Sequence, residues 1–238
     1  MFNHEAAISA RVDAVLAMEL PCILVDDGSE PRCAETLARL AEAKRERVTL
    51  VRHARNRGKG AAVMSGLARA HQLGHSHALQ IDADDQHAVE DIPAFLALAR
   101  EHPAAVIVGQ PIFDASVPTN RLYFRYLTHI LVWIQTLSLE IRDSMCGFRV
   151  YPVAPVLDLA RRVRLGRRMD FDSEVLVRLW WEGATIISRR TRVRYPRDGV
   201  SHFRLFRDNV LMTRMHIRLF LGMLVRAPRL LARRRRSR

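Results

Sequence analysis

Cysteine is scarce: Cys22, Cys33 and Cys146 are the whole supply in 238 residues. No two form a C-x-x-C pair, which removes the usual signature of a zinc ribbon or a dithiol redox site. Their odd number and apolar settings point to reduced, mostly buried thiols in a cytosolic protein. No run of about 18 uncharged apolar residues occurs, so no spanning helix is expected. The N-terminus has no basic stretch leading into an apolar core, so no signal peptide is expected. There is no internal repeat, and low complexity is confined to Arg233–Arg236. Acids are nearly missing from the end of the chain: from Ser201 onward there are eleven arginines and one aspartate.

What is present is a chain 49% hydrophobic with a formal net charge of +13. The apolar content suffices for a sizeable core. Most of the basic excess belongs to the end, so the body is close to neutral. We therefore divide the chain into a domain at 1–203 and a basic tail at 204–238. Such a tail suits an anionic membrane surface or nucleic acid.

The pattern predicts alternating elements. Met1 to Glu19 reads as a helix, with Ile8, Val12, Val15 and Leu16 at helical spacing. Strands are expected at Cys22–Val25, Val48–Val51, a run ending at Asp82, and Ala104–Val108 closed by Gly109. Helices are expected between them at Cys33–Arg45, Ala61–His71 and Ile92–Arg100. Beyond lie a long helix at Asn120–Leu139, a tight loop at Asp143–Arg149 feeding a strand, a helix at Asp172–Trp181, and strands at Ala184–Ser188 and Thr191–Tyr195. This alternation predicts an α/β protein with a mostly parallel, doubly wound sheet.

Every chemically loaded stretch follows a strand, where such sheets bind ligands. Asp26-Asp27-Gly28-Ser29 offers acceptors for a base edge or ribose hydroxyls; a capped turn is the plainer explanation. Arg55-Asn56-Arg57-Gly58-Lys59-Gly60 opens a helix, where glycines and free N–H groups favour an anion. It is not a Walker loop, because the lysine is followed by Gly60. In Asp82-Ala83-Asp84-Asp85-Gln86-His87, extended backbone would point Asp82, Asp84 and Gln86 to one side. Two carboxylates and an amide oxygen make a hard site for Mg²⁺ or Mn²⁺. The plainer explanation is again a capped or solvated turn.

Together these stretches resemble the family 2 glycosyltransferases of GT-A fold, with a Rossmann-like nucleotide-binding half. The dolichyl-phosphate mannose synthase-like branch is the nearest likeness. The resemblance covers about Asn3 to His202. It implies that Asp82, Asp84 and Gln86 hold the metal in an Asp-x-Asp-x-Gln motif. It implies a donor site from Asp26, Asp27, Ser29, Asn56 and Lys59. Asp143 through Arg149 resembles the family's Asp-x-x-x-Gly-Phe-Arg loop on the acceptor side. Arg197 through His202 resembles its Arg-x-Gly-x-Ser-Lys loop over the diphosphate, with Ser201 matching and His202 in the lysine's place. The family begins with a strand ending Pro-x-Tyr-Asn, whereas this chain starts Met1-Phe2-Asn3. The first strand is therefore expected to be missing, and a start assigned too late is the favoured reason.

The implied reaction moves a sugar from a nucleotide-diphosphate sugar to an acceptor, a lipid or polyprenyl phosphate first among them, with inversion. Arg197 is the expected charge stabiliser. A hydroxyl acceptor would need a base, for which Asp143 and Asp172 are the candidates; Glu174 shares the acidic first turn of that helix. Two rivals are a non-catalytic basic binding protein and a nucleotidyltransferase. His71 and His75, four apart on a helix, could bind a metal, but without a third ligand they are read as surface histidines. Trp180-Trp181 could stack on a sugar or equally well pack a helix on the core. In the tail, Leu211, Met215, Leu219 and Met223 line one side of a helix, and Arg207, Arg214 and Arg218 another. That helix is expected to lie in a membrane interface, placing the protein on the cytoplasmic face, with no nucleic-acid partner.

Overall fold

The computed structural model describes residues 3, 8–83, 86–113, 119–193 and 205–236. The first half alternates as the pattern predicts. Helix α1 (Ile8–Ala17) precedes β1 (Cys22–Asp26), α2 (Pro31–Ala43), β2 (Val48–Arg52), α3 (Lys59–Gln72) and β3 (His77–Gln80). A short 3-10 turn then leads into α4 (Ile92–Glu101) and β4 (Val106–Phe113). The second half contains α5 (Thr119–Thr136), β5 (Arg149–Pro152), α6 (Val153–Arg162), α7 (Phe171–Trp181), β6 (Ile186–Val193) and α8 (Leu205–Arg236).

The strands form two sheets. β1 and β2 pair in parallel, and β3-β5-β4-β6 make the second sheet. Within the second, β4 and β6 are parallel and β5 runs against both its neighbours. Among the described residues no strand joins β1 to β3, although both pack on α3.

Two expectations about the strands need correction. β4 does not end at Gly109; it continues to Phe113, paired with β6 throughout. Gly109 is there for closeness, because a Cβ would press on Cys146 Sγ at 2.7 Å. Pro111 is tolerated because β5 pairs only with Ile107 and Val108, leaving that flank without a ladder partner. The two strands expected at 184–195 are one, β6, in which exposed Arg190 and Arg192 alternate with buried Thr191 and Val193. Helix α6 is an addition to the expected elements, with Val153, Val156 and Leu159 spaced to bury one helical face and doing so.

Helix α7 is the central post. Phe171 through Val177 are all buried on it. Helices α5 and α8 pack against α7 and each other. Trp180 Nε1 donates to Thr136 O at 3.2 Å and Trp181 Nε1 to Gln135 O at 2.8 Å, so both rings serve packing here. Met215, Leu219, Met223 and Leu230 put one side of α8 into the main core. Met215, Leu219 and Met223 belong to the side expected to lie in a membrane interface, so that expectation is corrected: this side is core, and the tail shares it with the body.

Candidate active site

Three loops, each following a strand, meet at α3. In the first, Asp26 caps its own turn: Oδ1 accepts from Ser29 N at 2.9 Å and Oδ2 from Arg52 Nε at 3.0 Å. Asp27 reaches into the second loop. Its Oδ1 accepts from Arg57 N at 2.9 Å and its Oδ2 from Gly58 N at 2.7 Å. His53 Nδ1 lies 2.6 Å from the same Oδ1, and its Nε2 lies 2.9 Å from Ser65 Oγ. Both aspartates are buried, so they brace the loops. Gly28 has φ +72, and a Cβ there would overlap the backbone of Arg55 and Asn56. Only glycine lets the two loops close up at this point. The Ser29 hydroxyl accepts from Asn3 N at 3.1 Å.

The second centre is Lys59, the first residue of α3. Its Nζ sits 2.6 Å from Asp82 Oδ2 and 2.8 Å from Asp172 Oδ2. Burial works against the ammonium, but the two carboxylates outweigh it and hold its pKa well above the ordinary range. Burial likewise pushes Asp82 up, while the charges of Lys59 and His87 prevail and hold it at about 2. The Asp82 carboxylate lies against Gly147, where any Cβ would overlap it. The loop expected on the acceptor side therefore touches the end of β3. Asp82 and the half-buried Gln86 are hard oxygen donors of the kind Mg²⁺ and Mn²⁺ take. Among the described residues no three His, Cys, Asp or Glu side chains converge on a metal position. Asp84, expected to supply the second carboxylate, lies outside the described residues, as do Arg197, Ser201 and His202.

The third centre is Asp143. Its Oδ2 accepts from Arg125 Nε at 2.7 Å, with His129 Nε2 at 3.4 Å. Its Oδ1 accepts from the N–H groups of Met145 and Cys146 at 2.9 and 2.8 Å. Burial raises its pKa, but the hydrogen bond from His129 and the Arg125 charge hold it at about 2. Arg149, wholly buried, donates to Ser144 O, Cys146 O and Asp172 O, binding the loop to the start of α7. Glu174 is tied up as well, accepting from Gly166 N, Arg178 and Arg218.

The structure thus brings Lys59, Asp82 and Asp172 together and sets the turn of Asp26, Asp27 and Ser29 against the loop that carries Asn56 and leads into Lys59. Asp143 stands apart with its own cations. Sequence reasoning missed His53, Arg125 and His129. His53 carried one signal, its place directly after β2; the other two had none.

A family model described as "Glycosyl transferase family 2" matches residues 1–156. This chain belongs to that family. It is 26% identical over 169 residues to a UDP-N-acetylglucosamine–dolichyl-phosphate N-acetylglucosaminyltransferase of Methanococcus voltae, covering 65% of this chain and 67% of that one. A dolichyl-phosphate beta-glucosyltransferase of Dictyostelium discoideum is 29% identical over 171 residues, 65% of this chain and 49% of its own length. Glucosyl-3-phosphoglycerate synthase from Mycobacterium tuberculosis, solved with Mn²⁺, uridine diphosphate and phosphoglyceric acid, superposes with a TM-score of 0.67. That superposition covers 94% of this chain and 75% of the synthase at 15% identity, so it speaks to the shared GT-A fold.

Proposed function

We propose that this glycosyltransferase moves a sugar from a nucleotide-diphosphate sugar to the phosphate of a polyprenyl-type lipid, with inversion, at the cytoplasmic face of a membrane. The observation that carries this is the contact between Asp82 and Gly147, which sets the donor-side strand end against the loop expected to meet the acceptor. The relatives named above for dolichyl phosphate support the choice of acceptor.

Asp26 and Asp27 shape the base and ribose slot by holding the N–H groups of Ser29, Arg57 and Gly58 in place. Asp82, Asp84 and Gln86 would hold Mg²⁺ or Mn²⁺. When bound, the metal neutralises charge on the diphosphate as it leaves. Lys59 brings a further positive charge to the same region, and Arg197 and His202 are proposed to add theirs. A phosphate oxygen of the acceptor forms the new bond to the anomeric carbon as that carbon's bond to the diphosphate breaks. An acceptor phosphate is already ionised and needs no base. That agrees with the two base candidates, since Asp143 and Asp172 are each paired to a largely buried cation. We therefore assign Asp143 to bracing its loop and Asp172 to positioning Lys59.

The membrane role rests on α5 and α8. No described helix is long and apolar enough to cross a bilayer. The side of α8 opposite its core contacts exposes Phe206, Ile217, Phe220, Leu221 and Leu224. The outward side of α5 exposes Tyr123, Tyr126, Leu127, Ile130 and Ile134. Arg207 and Arg214 flank the apolar side of α8, as a surface helix on anionic lipid requires, while Arg218 turns inward to Glu174.

The test is an assay with nucleotide sugars and polyprenyl phosphate, reading nucleoside diphosphate and glycolipid, with and without EDTA. Transfer should stop in EDTA and in Asp82→Asn, whose loss we put at about a hundredfold or more. Pyrophosphate release instead would make the protein a nucleotidyltransferase. Undiminished transfer by Asp82→Asn would remove Asp82 from the donor site.

A further inference from the structure

Lys59 stands at an electrostatically unfavourable place, the first residue of α3. A cation in the first turn of a helix faces the positive end of the helix dipole. Its ammonium is also largely withdrawn from water, which penalises charge. Both costs are offset by two carboxylates that come from elements far apart in sequence, Asp82 after β3 and Asp172 on α7. Together the three groups carry a single net negative charge. A divalent cation arriving alone must take Asp82 from Lys59 and then face an ammonium one carboxylate away. Arriving with a diphosphate, it brings oxygens that give the displaced ammonium a new partner, while Asp172 keeps hold of it.

We propose that Lys59 is an internal counter-ion that fills the acidic site of the free enzyme and makes metal binding depend on the nucleotide, so that metal and nucleoside diphosphate enter as a pair. This rests on the assignment of Asp82 to the metal in the proposed transfer reaction. Lys59 acts as a positioning residue in the free enzyme and as a charge switch on loading.

The experiment is a titration of Mn²⁺ into the wild-type chain, Lys59→Gln and Lys59→Arg, followed by electron paramagnetic resonance of the free ion. Each is run alone and with UDP or GDP, after correction for Mn²⁺ held by free nucleotide. In the wild type, diphosphate should tighten Mn²⁺ by about tenfold or more, within the usual range for coupled sites. Lys59→Gln should bind Mn²⁺ alone about tenfold tighter than wild type and lose most of that coupling. Lys59→Arg should keep the wild-type pattern. Thermal melts give an independent readout, with Mn²⁺ alone raising the midpoint of Lys59→Gln more than that of the wild type. Lys59→Gln binding Mn²⁺ no tighter than wild type, or keeping the full coupling, overturns the proposal while leaving the donor site intact. A wild type that binds neither nucleotide nor Mn²⁺ overturns the glycosyltransferase site and the lysine's role with it. Should Lys59→Gln not fold, the wild type decides, and Mn²⁺ binding indifferent to diphosphate sinks the idea.

Discussion

Gly147 has no room for a side chain because the Asp82 carboxylate occupies the space where its Cβ would stand. The two residues lie in different loops, one just after β3 and one before β5. Their contact couples the two halves of the site. Gly147→Ala should therefore do more than a surface alanine. We expect a loss of about 1–3 kcal/mol of stability from overpacking, read by denaturant unfolding. We also expect a fall in turnover, because Asp82 must rotate away. An alanine variant with wild-type stability and rate would show that the contact yields freely.

Asp143 supplies an acid-side prediction. Its carboxylate is held at about 2 in the folded chain, below the unfolded value near 3.8. A depressed carboxylate contributes stability that is present above the unfolded pKa and lost as pH falls through the folded one. The window is therefore about pH 4 to 2, and its size is about 2 kcal/mol. Asp143→Asn should flatten that part of the pH profile. It should also cost about 3 kcal/mol at neutral pH, because Arg125 is left buried without its partner. Identical acid unfolding curves for the two proteins would remove Asp143 from this role.

His216 works in a higher window. It is buried between α5 and α8 beside Gln135, whose Nε2 lies 3.1 Å from its Nδ1. Burial pushes its pKa down from 6.5 to about 4. The unfolded chain then binds the proton more readily, so stability falls as pH drops from about 6.5 to about 4. The loss should reach at most about 3 kcal/mol, read by chemical denaturation at stepped pH. His216→Gln should lack this slope, and a slope unchanged in the variant would place its origin elsewhere.

The apolar outer side of α8 makes a prediction about partition. The wild-type chain should float with vesicles containing anionic lipid, and less so as salt rises. Ile217→Glu with Leu224→Glu should abolish flotation without lowering the melting point, because both side chains are exposed. Leu219→Ala, on the buried side of the same helix, should instead lower stability by about 2–5 kcal/mol. Flotation that ignores both acidic substitutions would remove the membrane role of this face.

The alternation of apolar runs and helical periods was enough to place β1 through α4 within a few residues, because each element there is decided by its own side chains. The three loops were legible for the same reason: aspartates, glycines and a lysine at strand ends leave a local record. What Lys59 does was not legible. Its two partners lie 23 and 113 positions away in sequence numbering, and only packing β3 and α7 around the start of α3 turns the three into one cluster. The sequence alone offers Asp143 as a candidate base; only α5, by supplying Arg125 and His129, shows the carboxylate to be paired. Helix α8 makes the point most clearly. Two of its sides are apolar in sequence, and hydrophobicity cannot rank them. Contact with α5 and α7 buries Met215, Leu219 and Met223 and leaves Ile217, Leu221 and Leu224 outside. Periodicity establishes that a helix has faces, whereas which face meets the core depends on where its neighbours stand.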